Sequence, residues 1–302
     1  MLESFIDWYE NLNKNKTANK FAPHKPLTII FALNHLLKGH RWIEYNRDKD
    51  ELNDFIDHFI SADANCLYPL WRLQNDNKKH THWQVSPKEG FIVNKSGDIS
   101  ASQANSQNLK AGFTDQTYQW LSQNPQMAQF LIGEIIEDNF PETIEEEILT
   151  LLGIDAVPPL IVDSETITVT RPKRDPNFPK KVMQAYDYRC SFCQLKIYHN
   201  HKPFPMEAAH IKWKARGGEC HETNGLSLCP THHYTFDKGI WSLNSNLEII
   251  INPNVIIDRN TDHFFAQFEG KSIITSLIDT RYRPSEEYIE WHRVNIFSTE
   301  NK

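Results

Sequence analysis

The stretch LCPTHHYTFD, residues 228–237, sets two histidines side by side, the first three residues after Cys229 and the second four before Asp237. In a helix, neighbouring side chains point about 100° apart, so His232 and His233 would face different surroundings. Cys229 and His232 make a C-x-x-H pair, and Cys190 and Cys193 in RCSFCQL make a C-x-x-C pair. Alone, a C-x-x-C suits buried cysteines or a redox pair as well as a metal. The second pair favours a tetrahedral Cys3His site and predicts a structural Zn²⁺. Cys66 and Cys220 are left over and read as structural or incidental. His233 shares a helical face with Asp237 at i, i+4, a plausible clamp for a hard divalent ion.

Upstream lie EAAHIKW, with His210 ending an apolar strand, and TNGLSLC, with Asn224 leading a turn. The order His210, Asn224, His233, set among the cysteine pairs, resembles the zinc-stapled branch of the HNH endonucleases over residues 185–240. The resemblance implies a ββα-metal fold and metal-dependent phosphodiester hydrolysis. It implies that His210 is the general base, that Asn224 holds the loop positioning it, and that His233 and Asp237 bind Mg²⁺, Mn²⁺ or a similar catalytic ion. Many members carry a metal-binding Asp or His just before the base; here that position is Ala209, so a protein ligand is missing there.

At 302 residues the chain is long enough for two domains, each with its own core. Its 39% hydrophobic and 12% aromatic content argues against disorder. Apolar runs such as LTIIFAL are too short for a bilayer, so no membrane span is expected. The N-terminus lacks a signal-peptide pattern, and five cysteines do not make a disulfide framework. Both point to a reducing cytoplasm. The net charge of -7 argues against nucleic acid until it is read locally. Residues 134–163 are acidic and read equally as a solvated face. Residues 171–216, around the metal-ligand motifs, carry Lys180, Lys181, Lys202, Lys212 and Lys214 among other cations and suit a phosphate backbone.

Composition divides the chain into residues 1–152, an extended linker at 153–179, and residues 180–302. KPLTIIFALNHLLKG predicts a helix with Pro26 in its first turn, one apolar side and Gly39 at its end. KDELNDFIDHFISAD and DQTYQWLSQNPQMAQFLIGEIIEDNF also have helical patterns, the latter broken near Pro125. HWQVS and GFIVNKSGDIS read as short strands around a turn, WSLNSNLEIIINPNVIID as later strands, and SEEYIEWHRVNIF as a final helix. The fold class expected is α+β, with a mainly helical first domain and a small mixed second one.

In the first part, APHKPLTIIFALNHLLKG, LYPLWRLQND, HWQV and LKAGFTDQTYQWL together resemble the sulfur-binding domain of phosphorothioate-dependent, McrA-like restriction endonucleases. The resemblance implies DNA contact by His24 and Lys25, a sulfur pocket at Tyr68, Pro69 and Leu70, and closure by Lys110, Ala111 and Gly112. Arg72 and Gln74 would read bases or phosphates. The family often has Arg-Gly where Lys110-Ala111 stands here, which puts the register at that point in question. YPLWRL reads equally as a core-facing turn and strand.

The two resemblances together imply a modification-dependent restriction enzyme acting on phosphorothioated double-stranded DNA. One HNH site nicks one strand, so a double-strand break implies a homodimer. Two alternatives remain: an HNH enzyme reading methylated or hydroxymethylated cytosine or unmodified sequence, and a zinc-stapled DNA-binding regulator without catalysis. The presence of His210, Asn224, His233 and Asp237 disfavours the second.

Overall fold

The computed structural model describes every residue except 13–21, 60–64, 78, 155–160, 163–164, 167–174, 205 and 298–302. It contains two compact units, residues 1–139 with 147–168, and residues 140–146 with 169–302. Much of the expected linker at 153–179 lies outside the described residues; within it is one two-residue antiparallel strand pair.

The first unit contains α1 (Leu2–Glu10), α2 (His24–Leu37), β1 (Ile43–Glu44), α3 (Tyr45–Asp57), α4 (Leu67–Arg72) and β2 (Trp83–Ser86). It continues with α5 (Ala101–Ser106), β3 (Lys110–Phe113), α6 (Asp115–Gln123) and α7 (Pro125–Asn139). Next, α8 (Glu142–Leu152) contributes residues to both units, and β4 (Ile161–Val162) and β5 (Glu165–Thr166) complete the first.

Helix α2 is the centre of this unit. The sequence predicts one buried side, but Leu27, Thr28, Ile29, Ile30 and Leu33 are all fully buried, because α3, α4, α6 and α7 pack around the helix. Pro26 fits its first turn, where a missing N–H costs nothing. The sheet runs β1-β3-β2, all antiparallel, with Lys110 opposite both Glu44 and Ser86.

Two expectations are corrected here. GFIVNKSGDIS forms no strand; Ile92 and Val93 are exposed, and the partner of HWQVS is KAGF. Pro87, which follows β2 directly, has no N–H for a ladder. The YPLWRL segment is a short helix, α4, rather than a turn and strand. Its Leu67, Pro69, Leu70 and Trp71 are buried, and it packs against β3.

The second unit contains α9 (Phe178–Ala185), β6 (Tyr198–His199), β7 (Lys202–Pro203), β8 (Glu207–His210), β9 (Gly225–Leu228) and α10 (Pro230–Asp237). It ends with β10 (Trp241–Leu243), β11 (Ile249–Ile251) and α11 (Glu286–His292), which widens into a π turn over Arg293–Phe297. Strands β8 and β9 form an antiparallel hairpin that pairs His210 with Gly225 and Glu207 with Leu228. Both α9 and α10 pack on it. Val182, Tyr186, Ile211, Leu226, Leu228, Phe236 and Trp241 fill the core beneath. Helix α10 starts where the sequence dictates: Cys229 is extended at the cap position and Pro230 occupies the first helical position.

Candidate functional site

Cys190, Cys193, Cys229 and His232 converge, with their ligand atoms all within 4.8 Å of one another. His232 Nδ1 is 3.0 Å from Cys229 Sγ and 3.7 Å from Cys190 Sγ. The other ring nitrogen, Nε2, lies 3.1 Å from the Phe264 carbonyl, which leaves Nδ1 facing the sulfurs. Phe192 stacks on the ring at 4.1 Å. Hydrogen bonding from Cys190 and Cys193 holds the Cys229 thiol far below its usual range, while the same network pushes Cys190 up. Burial opposes charge on His232, but Cys193 and Cys229 outweigh it and raise the ring to about 9. Three sulfurs and one imidazole, mostly buried, form a donor set that could hold a soft metal ion such as zinc.

The loop after His210 is held by Asn224, which is fully buried. Its Oδ1 accepts from Lys212 N at 2.8 Å, and its Nδ2 donates to Lys212 O at 3.0 Å and Glu219 O at 2.9 Å. Ile211 N donates to the Asn224 carbonyl at 2.9 Å. Gly218 permits this closure: a Cβ there would stand 1.8 Å from the Lys212 carbonyl oxygen and 2.9 Å from Asn224 Nδ2. His210 is half-buried, stacks on Phe178 of α9 at 4.0 Å, and has Nε2 3.5 Å from Cys220 Sγ. The leftover Cys220 therefore touches the candidate base, whereas Cys66 is buried and its thiol is pushed up to about 12 by that burial.

His233 lies between two carboxylates. Its Nδ1 is 2.8 Å from Glu207 Oε2, and its Nε2 is 3.3 Å from Asp237 Oδ2. Burial opposes the charge, but Asp237 and Glu207 together outweigh it and raise the ring to about 9. Asp237 is almost completely buried; Trp213 Nε1 donates to its Oδ1 at 3.0 Å, and the Thr143 hydroxyl donates to its Oδ2. Alternation along β8 puts Glu207 and Ala209 on one face and His210 on the other. The structure thus joins His233 to Asp237 as the spacing predicts, adds Glu207, and places His210 against α9 instead. Nothing in the sequence marks Glu207; only the packing of α10 on β8 brings it to His233.

In the first unit, Tyr68 is exposed, whereas Pro69 and Leu70 beneath it are buried. Arg72 lies 5.1 Å from the Tyr68 ring centre and makes a two-point ion pair with Asp98, both hydrogen bonds at 2.6 Å. Gln74 donates to the Trp71 carbonyl at 2.8 Å. Lys25 pairs with Asp76 at 2.5 Å in a largely buried setting, and half-buried His24, at the start of α2, accepts the Thr28 hydroxyl on its carbonyl. Lys110 pairs with Glu44 at 3.2 Å across the sheet. Ala111 is buried mid-strand, and a Cβ on Gly112 would meet the Arg41 carbonyl at 3.1 Å. The packing of α4 on β3 brings the Tyr68 and Lys110 segments together, while the Asp98 and Asp76 partners are not legible in the sequence.

A family model described as ScoMcrA-like, DNA sulfur-binding domain matches residues 2–157, and one described as HNH endonuclease matches residues 190–244. Among curated proteins there is no significant match. Among solved structures, the sulfur-binding domain of ScoMcrA complexed with phosphorothioated DNA is 18% identical, with a TM-score of 0.42 over 49% of this chain and 98% of that one. The type IV phosphorothioation-dependent restriction endonuclease ScoMcrA is 20% identical, with a TM-score of 0.38 over 46% of this chain and 28% of that one. The modification-dependent restriction endonuclease TagI is 25% identical, with a TM-score of 0.31 over 43% of this chain and 42% of that one. This chain thus spans less than half of the two full restriction enzymes. The first family match extends over more than half of the chain, which belongs to the ScoMcrA-like DNA sulfur-binding domain family and carries an HNH endonuclease domain in its second unit.

Proposed function

We propose that this member of the ScoMcrA-like DNA sulfur-binding family is a restriction endonuclease that docks on phosphorothioated double-stranded DNA and hydrolyses phosphodiester bonds nearby. The observation that carries the reading is the presence of both family matches on one chain, residues 2–157 and 190–244. Substituting sulfur for a non-bridging oxygen weakens hydration, so an apolar wall discriminates against oxygen by roughly 1–3 kcal/mol. The exposed Tyr68 ring, backed by Pro69 and Leu70 and braced by Arg72, is such a wall, with Lys110, Ala111 and Gly112 on the adjoining strand.

In the HNH unit, His210 accepts the proton of the attacking water, and the stack on Phe178 orients its ring. Asn224 positions His210 by closing the loop behind it. Lys212 and Lys214, two and four residues after the base, meet the DNA backbone. His233 would hold a divalent ion such as Mg²⁺ or Mn²⁺, which when bound would supply phosphate binding and charge stabilisation at the leaving oxygen. Cys190, Cys193, Cys229 and His232 would hold Zn²⁺, which would tie α10 to the Cys190 knuckle. Because one such centre cuts one strand, two chains act together as a homodimer. The free cysteines suit a reducing cytoplasm, and no helix among the described residues is long and apolar enough to cross a membrane.

The test is cleavage of matched duplexes carrying sulfur, methylcytosine or neither, with wild type and His210→Ala. Metal-dependent cutting confined to the sulfur duplex, lost in His210→Ala by at least about 10² with DNA binding retained, is expected. Equal cutting of all three duplexes refutes the sulfur reading, selective cutting of the methylated duplex moves the reader to cytosine, and wild-type speed in His210→Ala refutes the assigned base.

A further inference from the structure

The two carboxylates beside His233 are not equivalent. Asp237 is shut away, with 1% of its side chain exposed, and accepts hydrogen bonds from Trp213 and Thr143 besides its contact with His233 Nε2. Glu207 is 46% exposed at the start of β8 and reaches Nδ1 from the open side. A DNA phosphate can approach an ion beside Glu207; an ion at the Asp237 oxygen facing His233 would have to displace the Thr143 hydroxyl from a carboxylate that solvent barely reaches. The 2.8 Å separation of Glu207 Oε2 and His233 Nδ1 also fits one ion. Two adjacent ligands on an octahedral ion with bonds of roughly 2.1 Å stand about 3 Å apart. Ala209, on the same strand face as Glu207, offers no ligand atom.

We propose that the divalent ion of this domain binds His233 through Nδ1 with Glu207 as its carboxylate ligand, and that Asp237 is a positioning residue that accepts a hydrogen bond from Nε2–H and fixes the ring. The proposal rests on the nuclease reading above and specifies its metal shell. It moves Asp237 from ligand to orienting partner, the arrangement in which a ligating histidine donates its second N–H to a carboxylate.

The experiment uses the full chain with its Cys3His site loaded. Mn²⁺ titration calorimetry compares wild type with Glu207→Gln, with thermal melting as the fold control. Affinity is expected to fall at least about tenfold without a change in melting, since losing even an outer partner costs that much. In parallel, ¹⁵N-histidine spectra of wild type, with a further equivalent of Zn²⁺ as probe and His233→Ala for assignment, report which nitrogen takes the ion. A metal shift at Nδ1 with Nε2 still protonated is expected. Ligation at Nε2, or unchanged affinity in Glu207→Gln, overturns this proposal and leaves the nuclease reading standing. No ion bound beyond the Cys3His site overturns both. The wild-type spectra decide the question even where Glu207→Gln fails to fold.

Discussion

Asn224 offers the sharpest test of how the loop behind His210 is held. Asn224→Ala removes all three of its side-chain hydrogen bonds, at 2.8, 3.0 and 2.9 Å, from a fully buried position. At a net value of roughly 1 kcal/mol each, the loss is about 3 kcal/mol. In a unit of this size that lowers Tm by roughly 10 °C. Asn224→Asp is the more telling change. It keeps the acceptor for Lys212 N–H but turns a second oxygen toward the carbonyls of Lys212 and Glu219, both of which now accept from Nδ2. An ionised carboxylate there is buried and repelled by both; a protonated one can donate to only one. Asn224→Asp should therefore be no more stable than Asn224→Ala at neutral pH. The Asp variant should gain on the Ala variant as pH falls, because burial raises its folded pKa and the folded state then binds the extra proton. If displacement of His210 reaches about 1 Å, cleavage drops by about 10² while DNA binding persists. Urea melts across pH, paired with nicking rates, read both effects. A wild-type melt and wild-type cleavage in Asn224→Asp would refute the idea that these three contacts hold the base.

Cys190→Ser or Cys229→Ser should each release about one zinc per chain and unfold the second unit, as read by metal analysis and melting; retained zinc with normal melting would dismiss the assignment. Buried His292 accepts from the Ser242 hydroxyl, donates to the Phe236 carbonyl, and has its pKa lowered by burial to about 4. Between pH 6.5 and 4 the unfolded chain takes a proton that the folded one refuses, so stability falls on acidification by up to about 3 kcal/mol. The slope should be shallower in His292→Gln, and parallel slopes would dismiss the cause. Tyr68→Ala should leave melting nearly unchanged, since the ring is exposed, yet cut the preference for sulfur over plain DNA roughly tenfold in binding titrations; an undiminished preference places the wall elsewhere.

What the sequence reveals depends on whether the determinant is local. The Pro26 helix and the break at Pro125 depend on backbone chemistry within a few residues, and both are present. The Cys3His cluster was legible because ligand spacing is itself a geometric constraint. GFIV was not, because a strand needs a partner, and Lys110–Phe113 takes that place beside Trp83–Ser86. The same holds at the candidate sites. Glu207, Phe178 and Cys220 meet their histidines across the fold, and Asp98 and Asp76 reach Arg72 and Lys25 from other segments. Such partners follow from packing, which no spacing rule records.

Helix α10 explains why the adjacent histidines need such partners. Eight residues are too few for a helix to hold itself in water. Its position is set by ties along its length: Cys229 and His232 join the Cys190 knuckle, His233 reaches Glu207 on β8, and Asp237 accepts from Trp213. From the other side, Trp241 Nε1 donates to the His232 carbonyl at 3.1 Å. The Cys3His cluster therefore fixes the backbone that carries His233, one residue on, and the hairpin carrying His210 is fixed to the same helix by packing. The roughly 100° turn between neighbours separates the two rings, so one can close a buried cluster while the other faces the half-exposed Glu207. Losing the cluster would free the helix that aims His233, which makes the structural site a condition of the reaction without any ligand shared between them.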